Sequence, residues 1–376
     1  MNNITVTSPL LPPLEELTPY LEDIWSRKWL TNNGHYHQLL EKELCNYLGV
    51  DYISLFSNGT LALITALQAL DLKGEVITTP YSFVATSHAI LLNNLKSVFV
   101  DIDPNSFNLD PKKIEEAITE HTSAILPVHV YGNPCDHEAI QRIADKHSLK
   151  VIYDAAHAFG VTKDDVSILN WGDLSILSFH ATKAYSTIEG GAIICHTKEM
   201  KEKLDRLKNF GYESETEISM LGSNAKMNEV QAAFGLATLK HIDNAIRIRN
   251  NIAKIYREEI SKIKGLTFLS PTEGVKFNNS YFPIFVDAQE FGMSRDELYF
   301  KLKENNVLSR RYFYPLITDF SFYKNHPNIV KHDLKISKRV SDNVICLPIH
   351  HAMNNEHTKD IITILMDKKN ELLNSK

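Results

Sequence analysis

The stretch Ser178-Phe-His-Ala-Thr-Lys183, followed by Glu189-Gly-Gly-Ala192, decides how this chain is interpreted. It continues an apolar run, Leu174-Ser-Ile-Leu-Ser178, that is typical of a buried strand. A second apolar run, Val151-Ile-Tyr153, ends at Asp154. A lysine and a carboxylate that follow buried strands are either ordinary surface residues or parts of one polar site. The rest of the chain has to decide between these two interpretations.

Apolar runs and helical stretches alternate through the first two-thirds of the sequence. We predict strands at residues 52–56, 76–78, 97–100, 124–130, 151–153, 174–178 and 192–195, and helices at 60–70, 82–92 and 137–147. This alternation predicts an α/β fold with a mostly parallel sheet covered on both faces. Ligands bind such sheets beyond the carboxyl ends of the strands. The turn Asn58–Thr60, Asp154 and Ser178 all fall at such ends, so we expect a site there.

From about Lys226 the pattern becomes helical, and the last hundred residues mix strands with helices. We predict helices at 250–263, 295–305 and 358–370, and a strand at 281–286. The sequence therefore predicts a large domain over residues 1–245, which includes the N-terminal segment, and a smaller C-terminal α/β domain over residues 246–376.

Charge and composition narrow the class of protein. The 376 residues include 40 basic and 46 acidic side chains, so the net charge of −6 gives no basic footprint for nucleic acid. Residues 1–9 lack the basic and apolar regions of a signal peptide, and no apolar run reaches the roughly 18 residues of a membrane span. Four scattered cysteines without a C-x-x-C pair are typical of reduced thiols. We therefore predict a cytoplasmic location, and the histidine spacings predict no metal site.

Lys183, Asp154 and Ser178 are the kinds of group that pyridoxal 5'-phosphate requires. A lysine amine bonds to the aldehyde, a carboxylate keeps the ring nitrogen protonated, and hydroxyl and backbone N–H groups hold the phosphate. The amine is nucleophilic only when neutral, so its pKa has to be lowered by its surroundings. Other interpretations stay open: Lys183 as a surface residue, and Asp154 as a helix cap or, with His157, as a metal ligand.

Five motifs in one order carry a resemblance to a known family. The chain resembles the nucleotide-sugar aminotransferases of the DegT/DnrJ/EryC1/StrS family over about residues 10–350. The matching motifs are Asn58-Gly-Thr-Leu-Ala-Leu63, Asp154-Ala-Ala-His157, Ser178-Phe-x-x-x-Lys183, Glu189-Gly-Gly-Ala192 and Gly222-Ser-Asn-Ala-Lys-Met-Asn228. The resemblance implies a fold-type-I pyridoxal-phosphate enzyme, with a large domain and a smaller C-terminal α/β domain.

The resemblance implies roles for residues around the cofactor. Lys183 is the catalytic lysine, and Gly59, Thr60 and Ser178 match the groups that bind the phosphate. Phe83 matches the aromatic residue that stacks on the cofactor ring.

Two further cofactor contacts are implied in the same way. Asp154 matches the ring-nitrogen ligand, and His157 replaces the glutamine that usually bonds the ring hydroxyl; a histidine can donate the same bond. Asn224 matches a residue that reaches the cofactor phosphate of the other subunit, which implies a homodimer with shared sites.

The resemblance also implies loops that contact the substrate. Residues 29–34 and Arg310-Arg-Tyr-Phe-Tyr-Pro315 match such loops. Arg310 and Arg311 together could grip a diphosphate, and Tyr312 could stack on a base. A solvated charged turn is the alternative. The segment from Lys183 to Glu189 is one residue shorter than the common family form, which can reshape the sugar pocket.

The implied activity is transfer of an amino group from glutamate to C4 of a dTDP-4-keto-6-deoxyhexose. The product would feed O-antigen or another glycan. The 3-keto isomer is the alternative substrate. A sugar dehydratase of the same family is a rival reading, but those enzymes lack the lysine that stands here at position 183. A ligand-sensing member without catalytic activity is the other rival.

Overall fold

The computed structural model describes residues 3–367 as strands, helices and their connections. In chain order the strands are β1 (Ile4–Thr5), β2 (Tyr52–Phe56), β3 (Glu75–Thr78), β4 (Lys96–Phe99), β5 (Thr122–Leu126), β6 (Lys150–Asp154), β7 (Thr162–Lys163), β8 (Val166–Ser167), β9 (Leu174–Ser178), β10 (Gly191–Cys195), β11 (Tyr212–Ser214), β12 (Glu217–Ile218), β13 (Leu266–Phe268), β14 (Val275–Lys276), β15 (Phe282–Val286), β16 (Val307–Leu308), β17 (Ile329–Lys331) and β18 (Val344–Leu347).

The α-helices connect and cover these strands. In chain order they are α1 (Leu14–Arg27), α2 (His35–Leu48), α3 (Gly59–Ala69), α4 (Val84–Leu92), α5 (Pro111–Ile114), α6 (His137–His147), α7 (Lys198–Leu207), α8 (Glu229–Leu239), α9 (Ile242–Ile260), α10 (Ala288–Phe291), α11 (Arg295–Glu304), α12 (Ser321–Lys324), α13 (Lys335–Asn343) and α14 (Asn355–Met366). Within residues 3–367 no helix is both long and apolar enough to cross a bilayer.

An eight-stranded sheet forms the centre of the large domain, in the order β17-β4-β3-β5-β6-β9-β10-β2. All neighbours from β17 to β9 are parallel, while β10 runs antiparallel to both β9 and β2. The strands β2, β6 and β9 therefore point the same way. Their carboxyl ends, at residues 56, 154 and 178, lie along one edge of the sheet. The prediction of an α/β fold with a mostly parallel sheet is confirmed.

Apolar helices bury both faces of this sheet. On α3 six of the eleven residues are buried, because this short helix packs between the sheet and α4 and α7. A helix that is apolar on most sides belongs in an interior, where burying each large side chain contributes about 1.5–3 kcal/mol. On the opposite face, α2 packs against α8. The edge that carries the polar residues is left open between these layers.

Most predicted elements agree with the structure within one or two residues. The strand predicted over 124–130 ends earlier, at Leu126, because Pro127 has no N–H for the ladder; Val130–Gly132 form a 3₁₀ turn instead. The helix predicted from residue 250 begins at Ile242 as α9. The last helix ends at Met366, and residues 368–370 of the predicted 358–370 helix lie outside the described part of the chain.

The smaller domain is built on an antiparallel sheet in the order β13-β15-β18, covered by α9, α11 and α14. Two short strands pair with strands on the other side of the predicted boundary at residue 245. β1 pairs in parallel with β16, which joins the N-terminal segment to the small domain. β17 pairs in parallel with β4, which gives the central sheet an edge strand from the C-terminal half. The division at residue 245 stays a prediction, and two strand pairings join residues on either side of it.

Candidate active site

A cavity of about 830 Å³ opens at the carboxyl ends of β2, β6 and β9. It lies between the large sheet and the loop that follows β16. Nine of the predicted site residues line it, namely Gly59, Thr60, Phe83, Asp154, His157, Ser178, Lys183, Arg310 and Tyr312. The structure thus brings together residues that are up to 253 positions apart, from Gly59 to Tyr312, in the place where parallel sheets bind ligands.

The turn before α3 is shaped to hold an anion. Asn58 caps the helix, since its side-chain oxygen accepts a hydrogen bond from the N–H of Leu61 at 2.9 Å. Gly59 begins the helix so close to Ser178 that an added Cβ would lie 3.0 Å from the Ser178 Cβ. A larger residue would be crowded here, and the glycine lets the free N–H groups of a helix N-terminus lie beside the hydroxyl of Ser178.

Asp154 is the buried carboxylate of the site, with only 5% of its surface exposed. Its Oδ2 accepts a hydrogen bond from the Thr86 hydroxyl at 2.8 Å, and its Oδ1 accepts one from the N–H of Ala156 at 3.1 Å. Burial raises the pKa of Asp154, while these two hydrogen bonds and the nearby Lys183 oppose the rise. The carboxylate therefore suits a cationic partner in the cavity.

Thr86 was missed by the sequence reasoning. It lies in the first turn of α4, and the hydroxyl of Ser82 makes a hydrogen bond of 2.8 Å with its hydroxyl. The signal was present in the stretch Tyr81–Thr86, where a threonine follows the aromatic residue Phe83 by three positions. The hydroxyl of this buried threonine needs a partner, and the carboxylate at the end of β6 supplies it.

Lys183 carries an amine whose pKa is lowered to about 8 by burial, while Asp154 and Tyr312 act in the opposite direction. Its Nζ lies 5.8 Å from the centre of the Tyr281 ring, another residue that the sequence did not single out. A lowered pKa leaves a useful fraction of the amine neutral near pH 7, as a nucleophile or a base requires.

His157 is fixed in one neutral tautomer. Its Nδ1 accepts a hydrogen bond from the N–H of Tyr131 at 3.2 Å, so the ring proton is on Nε2. Burial, with a contribution from Lys183, holds the pKa of His157 well below its usual range. The ring stacks on Phe313 with centroids 5.9 Å apart. His157 therefore presents an N–H donor, which is the group that the amide of a glutamine would present.

Phe83 stands at the start of α4, and 59% of it is exposed, although it lines the cavity. An aromatic side chain left open at a polar cavity is typical of a residue that stacks on a ligand ring.

Arg310 and Tyr312 reach the cavity, whereas Arg311 does not. The backbone of Arg310 pairs with Cys346 at the end of β18, with hydrogen bonds of 2.7 and 3.2 Å. The Arg311 guanidinium instead donates to Asp296 at 2.8 Å and lies 4.5 Å from the centre of the Tyr299 ring. The two adjacent arginines thus have different surroundings in this structure, and the expectation that both bind the substrate stays a prediction.

Asn224 is the one predicted cofactor residue that does not line the cavity of its own chain. It is exposed, and its backbone bridges to Asn209. Nearby, Lys226 donates to the side-chain oxygen of Asn209 at 2.6 Å. This position agrees with the prediction that Asn224 acts in a second subunit, which stays a prediction.

Taken together, the residues present fit pyridoxal 5'-phosphate. The helix N-terminus at Gly59 and the hydroxyl of Ser178 would hold the phosphate, and the buried carboxylate of Asp154 would accept a hydrogen bond from a protonated ring nitrogen. His157 offers a donor for the ring hydroxyl. In contrast, residues 3–367 contain no group of three or more His, Cys, Asp or Glu side chains able to hold a metal ion.

Comparisons with known proteins agree with this site. The chain is 58% identical to a dTDP-4-amino-4,6-dideoxy-D-glucose transaminase of Shigella dysenteriae over 367 residues, which cover 97% of this chain and 99% of that one. It is 52% identical to the Escherichia coli protein of the same name, over 97% of this chain and 98% of that one.

Solved structures give the same result. The fold matches that of DesI, described in the presence of its TDP-sugar product, with a TM-score of 0.92 and 31% identity, over 97% of this chain and 92% of that chain. The PseC aminotransferase of Helicobacter pylori matches with a TM-score of 0.89 and 28% identity, over 97% of this chain and 98% of that chain. The DegT/DnrJ/EryC1/StrS aminotransferase family model matches residues 14–366, and the chain therefore belongs to this family.

Proposed function

We propose that this pyridoxal-phosphate-dependent enzyme transfers an amino group from L-glutamate to C4 of a dTDP-linked 4-keto-6-deoxyhexose. The observation that carries the proposal is one cavity that joins Lys183, with its lowered pKa, to Asp154 and to the anion-binding turn at Gly59. The substrate is inferred from the two dTDP-4-amino-4,6-dideoxy-D-glucose transaminases that are 58% and 52% identical to this chain over almost their whole length. The product would serve the synthesis of O-antigen or another glycan.

The chain's own residues supply binding and proton transfer. When bound, pyridoxal 5'-phosphate supplies an aldehyde that carries the amino group and a ring that withdraws electrons from the reacting carbon. Asp154 would hold the ring nitrogen protonated, and a cation there would lower the carboxyl pKa that burial raises. Lys183 Nζ, when neutral, takes a proton from the α-carbon of glutamate and returns one to C4 of the sugar in the second half of the reaction.

The other wall of the cavity receives the nucleotide sugar. Arg310 can hold the diphosphate by charge-assisted hydrogen bonds. Tyr312 lines the same wall, and its carbonyl accepts a hydrogen bond from the Tyr131 hydroxyl at 2.5 Å. This bond ties the substrate loop of the smaller domain to the large domain, so that Arg310 and the cofactor residues keep a defined separation.

A product analysis tests the activity. Purified protein with L-glutamate and a dTDP-4-keto-6-deoxyhexose should form a sugar with nitrogen at C4, as measured by NMR, and one 2-oxoglutarate for each amino sugar. The 3-keto isomer serves as the comparison substrate. Nitrogen at C3, or equal rates with free keto acids, would reject the proposed acceptor.

The proposal includes a homodimer in which Asn224 completes the site of the partner. Exposed apolar side chains surround this residue: Leu221 is 85% exposed and Ile218 is 60% exposed, with Phe210 and Tyr212 beside them. Such a patch on a soluble enzyme is typical of a surface that another chain covers.

Complementation tests the shared site. A Lys183→Ala chain and an Asn224→Ala chain, each weakly active alone, should regain activity when refolded together, because one site of each mixed dimer is then intact. A mixture that is no more active than its parts would contradict the role given to Asn224. Sedimentation of the wild type would show a dimer in the same experiment.

A further inference from the structure

The turn Ser186–Gly190 is held in a backbone conformation that its sequence disfavours. Ile188 has φ = 71°, in the left-handed region that β-branched residues avoid. Its side chain is 49% exposed, so core packing does not account for the conformation. Backbone strain of this kind persists when the surroundings impose it, and it concentrates at sites where a side chain has to be aimed.

Several hydrogen bonds impose this conformation. The N–H of Ile188 donates to the Ser186 hydroxyl at 2.9 Å. The carbonyl of Glu189 accepts two bonds, from the Thr187 hydroxyl at 2.6 Å and from the Gln231 amide at 2.7 Å. The backbone that carries the Glu189 side chain is therefore fixed from both sides of the turn.

His180 lies beside the Glu189 carboxylate, in the loop that follows β9. The N–H of Thr182 donates to His180 Nδ1 at 3.2 Å, so a neutral ring carries its proton on Nε2. This Nε2 lies 3.5 Å from Glu189 Oε1. One carboxylate oxygen of Glu189 thus lies close to a ring nitrogen of His180.

Both side chains line the cavity that holds Lys183, and Arg310 lines it too. A carboxylate accepts hydrogen bonds and donates none, and it repels phosphate groups and the carboxylates of an amino-acid donor. Hydroxyl groups are therefore the ligand groups that suit it. We propose that Glu189 binds the ring hydroxyls of the hexose and that His180 is a positioning residue for it. This inference rests on the proposed function only in taking the substrate to be a nucleotide sugar.

Calorimetry with two probes isolates the contribution of the hexose to the binding affinity. dTDP-glucose and dTDP are titrated into the cofactor-loaded enzyme, since the two probes differ by the sugar alone. Glu189→Ala should weaken dTDP-glucose about tenfold, the loss expected for one hydrogen bond to a charged acceptor. The same variant should bind dTDP within about twofold of wild type. His180→Gln should weaken dTDP-glucose by less than Glu189→Ala does, and should also leave dTDP unchanged.

The chain offers a matched control on its surface. Glu120 also lies beside a histidine, with Oε1 3.8 Å from His121 Nε2, but it is exposed and outside the cavity. Glu120→Gln should bind both probes as wild type does. Absorbance of the bound cofactor shows whether each variant is intact, and Glu189→Gln replaces the alanine variant if the latter does not fold.

The outcomes separate this inference from the proposed function. Wild-type affinity for dTDP-glucose in Glu189→Ala, or an equal loss for dTDP, overturns the role of Glu189 while leaving the substrate class intact. A wild-type enzyme that binds neither probe overturns the nucleotide-sugar assignment, and the inference falls with it. Loss of dTDP binding in His180→Gln would make His180 a general structural residue and would contradict its positioning role.

Discussion

The two walls of the cavity are built by different means. The cofactor wall consists of residues at the ends of β2, β6 and β9, inside one buried sheet. The substrate wall consists of the turn before β10 and the loop after β16, which side-chain contacts hold in place. Ladder hydrogen bonds fix strand ends whatever the neighbouring loops do, whereas a loop can change without disturbing the sheet. We therefore propose that the chemistry depends on the wall built from the sheet, and that the choice of sugar depends on the wall built from loops.

Burial distinguishes the walls as well. It lowers the pKa of Lys183 to about 8, raises that of Asp154 and lowers that of His157. In contrast, the Glu189 side chain on the substrate wall is 53% exposed, and that of His180, which lies beside it in the loop after β9, is 46% exposed. Substitutions on the cofactor wall should therefore affect turnover, and substitutions on the substrate wall should affect KM for the sugar nucleotide.

The largest effect is expected at Lys183. Lys183→Ala removes both the nucleophile and the base, so kcat should fall by at least about a thousandfold. Borohydride treatment of the wild type should fix the cofactor on Lys183, as shown by peptide mapping. Lys112→Ala, which changes an exposed lysine on α5, is the control and should retain full activity. A label on any other lysine would refute the assignment.

The next-largest effect is expected at Asp154, and His157 on the same wall serves as the comparison. Asp154→Asn should lower kcat by about a hundredfold, because an amide cannot hold the ring nitrogen protonated. His157→Gln should stay within about tenfold of wild type, since an amide N–H replaces the Nε2–H donor. Stopped-flow measurement of the half-reaction with glutamate compares the two. A nearly normal rate in Asp154→Asn would contradict its role.

The substrate wall gives a sharper contrast between neighbours. Arg310→Gln should raise KM for the sugar nucleotide about tenfold, the loss of one charge-assisted hydrogen bond, with the glutamate half-reaction unchanged. Arg311→Gln should change KM by less than about twofold, because its pair with Asp296 is partly exposed and contributes little. Steady-state kinetics of both variants decide the point; equal effects would restore the expectation that both arginines grip the diphosphate.

The contrast between the sheet and the loops also explains how much of the structure could be predicted from the sequence. The α/β class and the membership of Gly59, Asp154 and Ser178 in one cavity were predictable, because strand periodicity places each of these residues at or just after a strand end. The family was predictable from the five motifs that occur in one order. The antiparallel direction of β10 was not, since a buried strand has the same apolar pattern in either direction. Nor were the pairings of β1 and β17, which have only two and three residues.

The direction of side chains in loops was the other feature that could not be predicted from the sequence. Arg310 and Arg311 have the same chemistry, but Arg311 pairs with Asp296 on α11 and lies over the ring of Tyr299, contacts that the sequence does not predict. Thr86 was missed because a threonine in an apolar helix reads as a packing residue until its hydroxyl is seen to donate to Asp154. Glu189 and His180 both lie in motifs of the sequence. Their spacing does not predict that the strained turn of one lies against the loop of the other.

The smallest effect is expected at Thr86, whose contact with Asp154 on the cofactor wall was not predicted from the sequence. The Thr86 hydroxyl donates to Asp154 at 2.8 Å and so stabilises the charged carboxylate. Thr86→Val removes the donor but keeps the shape, which raises the carboxyl pKa further. The carboxylate is then protonated at a higher pH, so the acid side of the kcat profile should move upward by about one pH unit. Thr86→Ser keeps the hydroxyl and should retain the wild-type profile. An unchanged profile in Thr86→Val would show that the ring nitrogen and the N–H of Ala156 alone keep Asp154 charged.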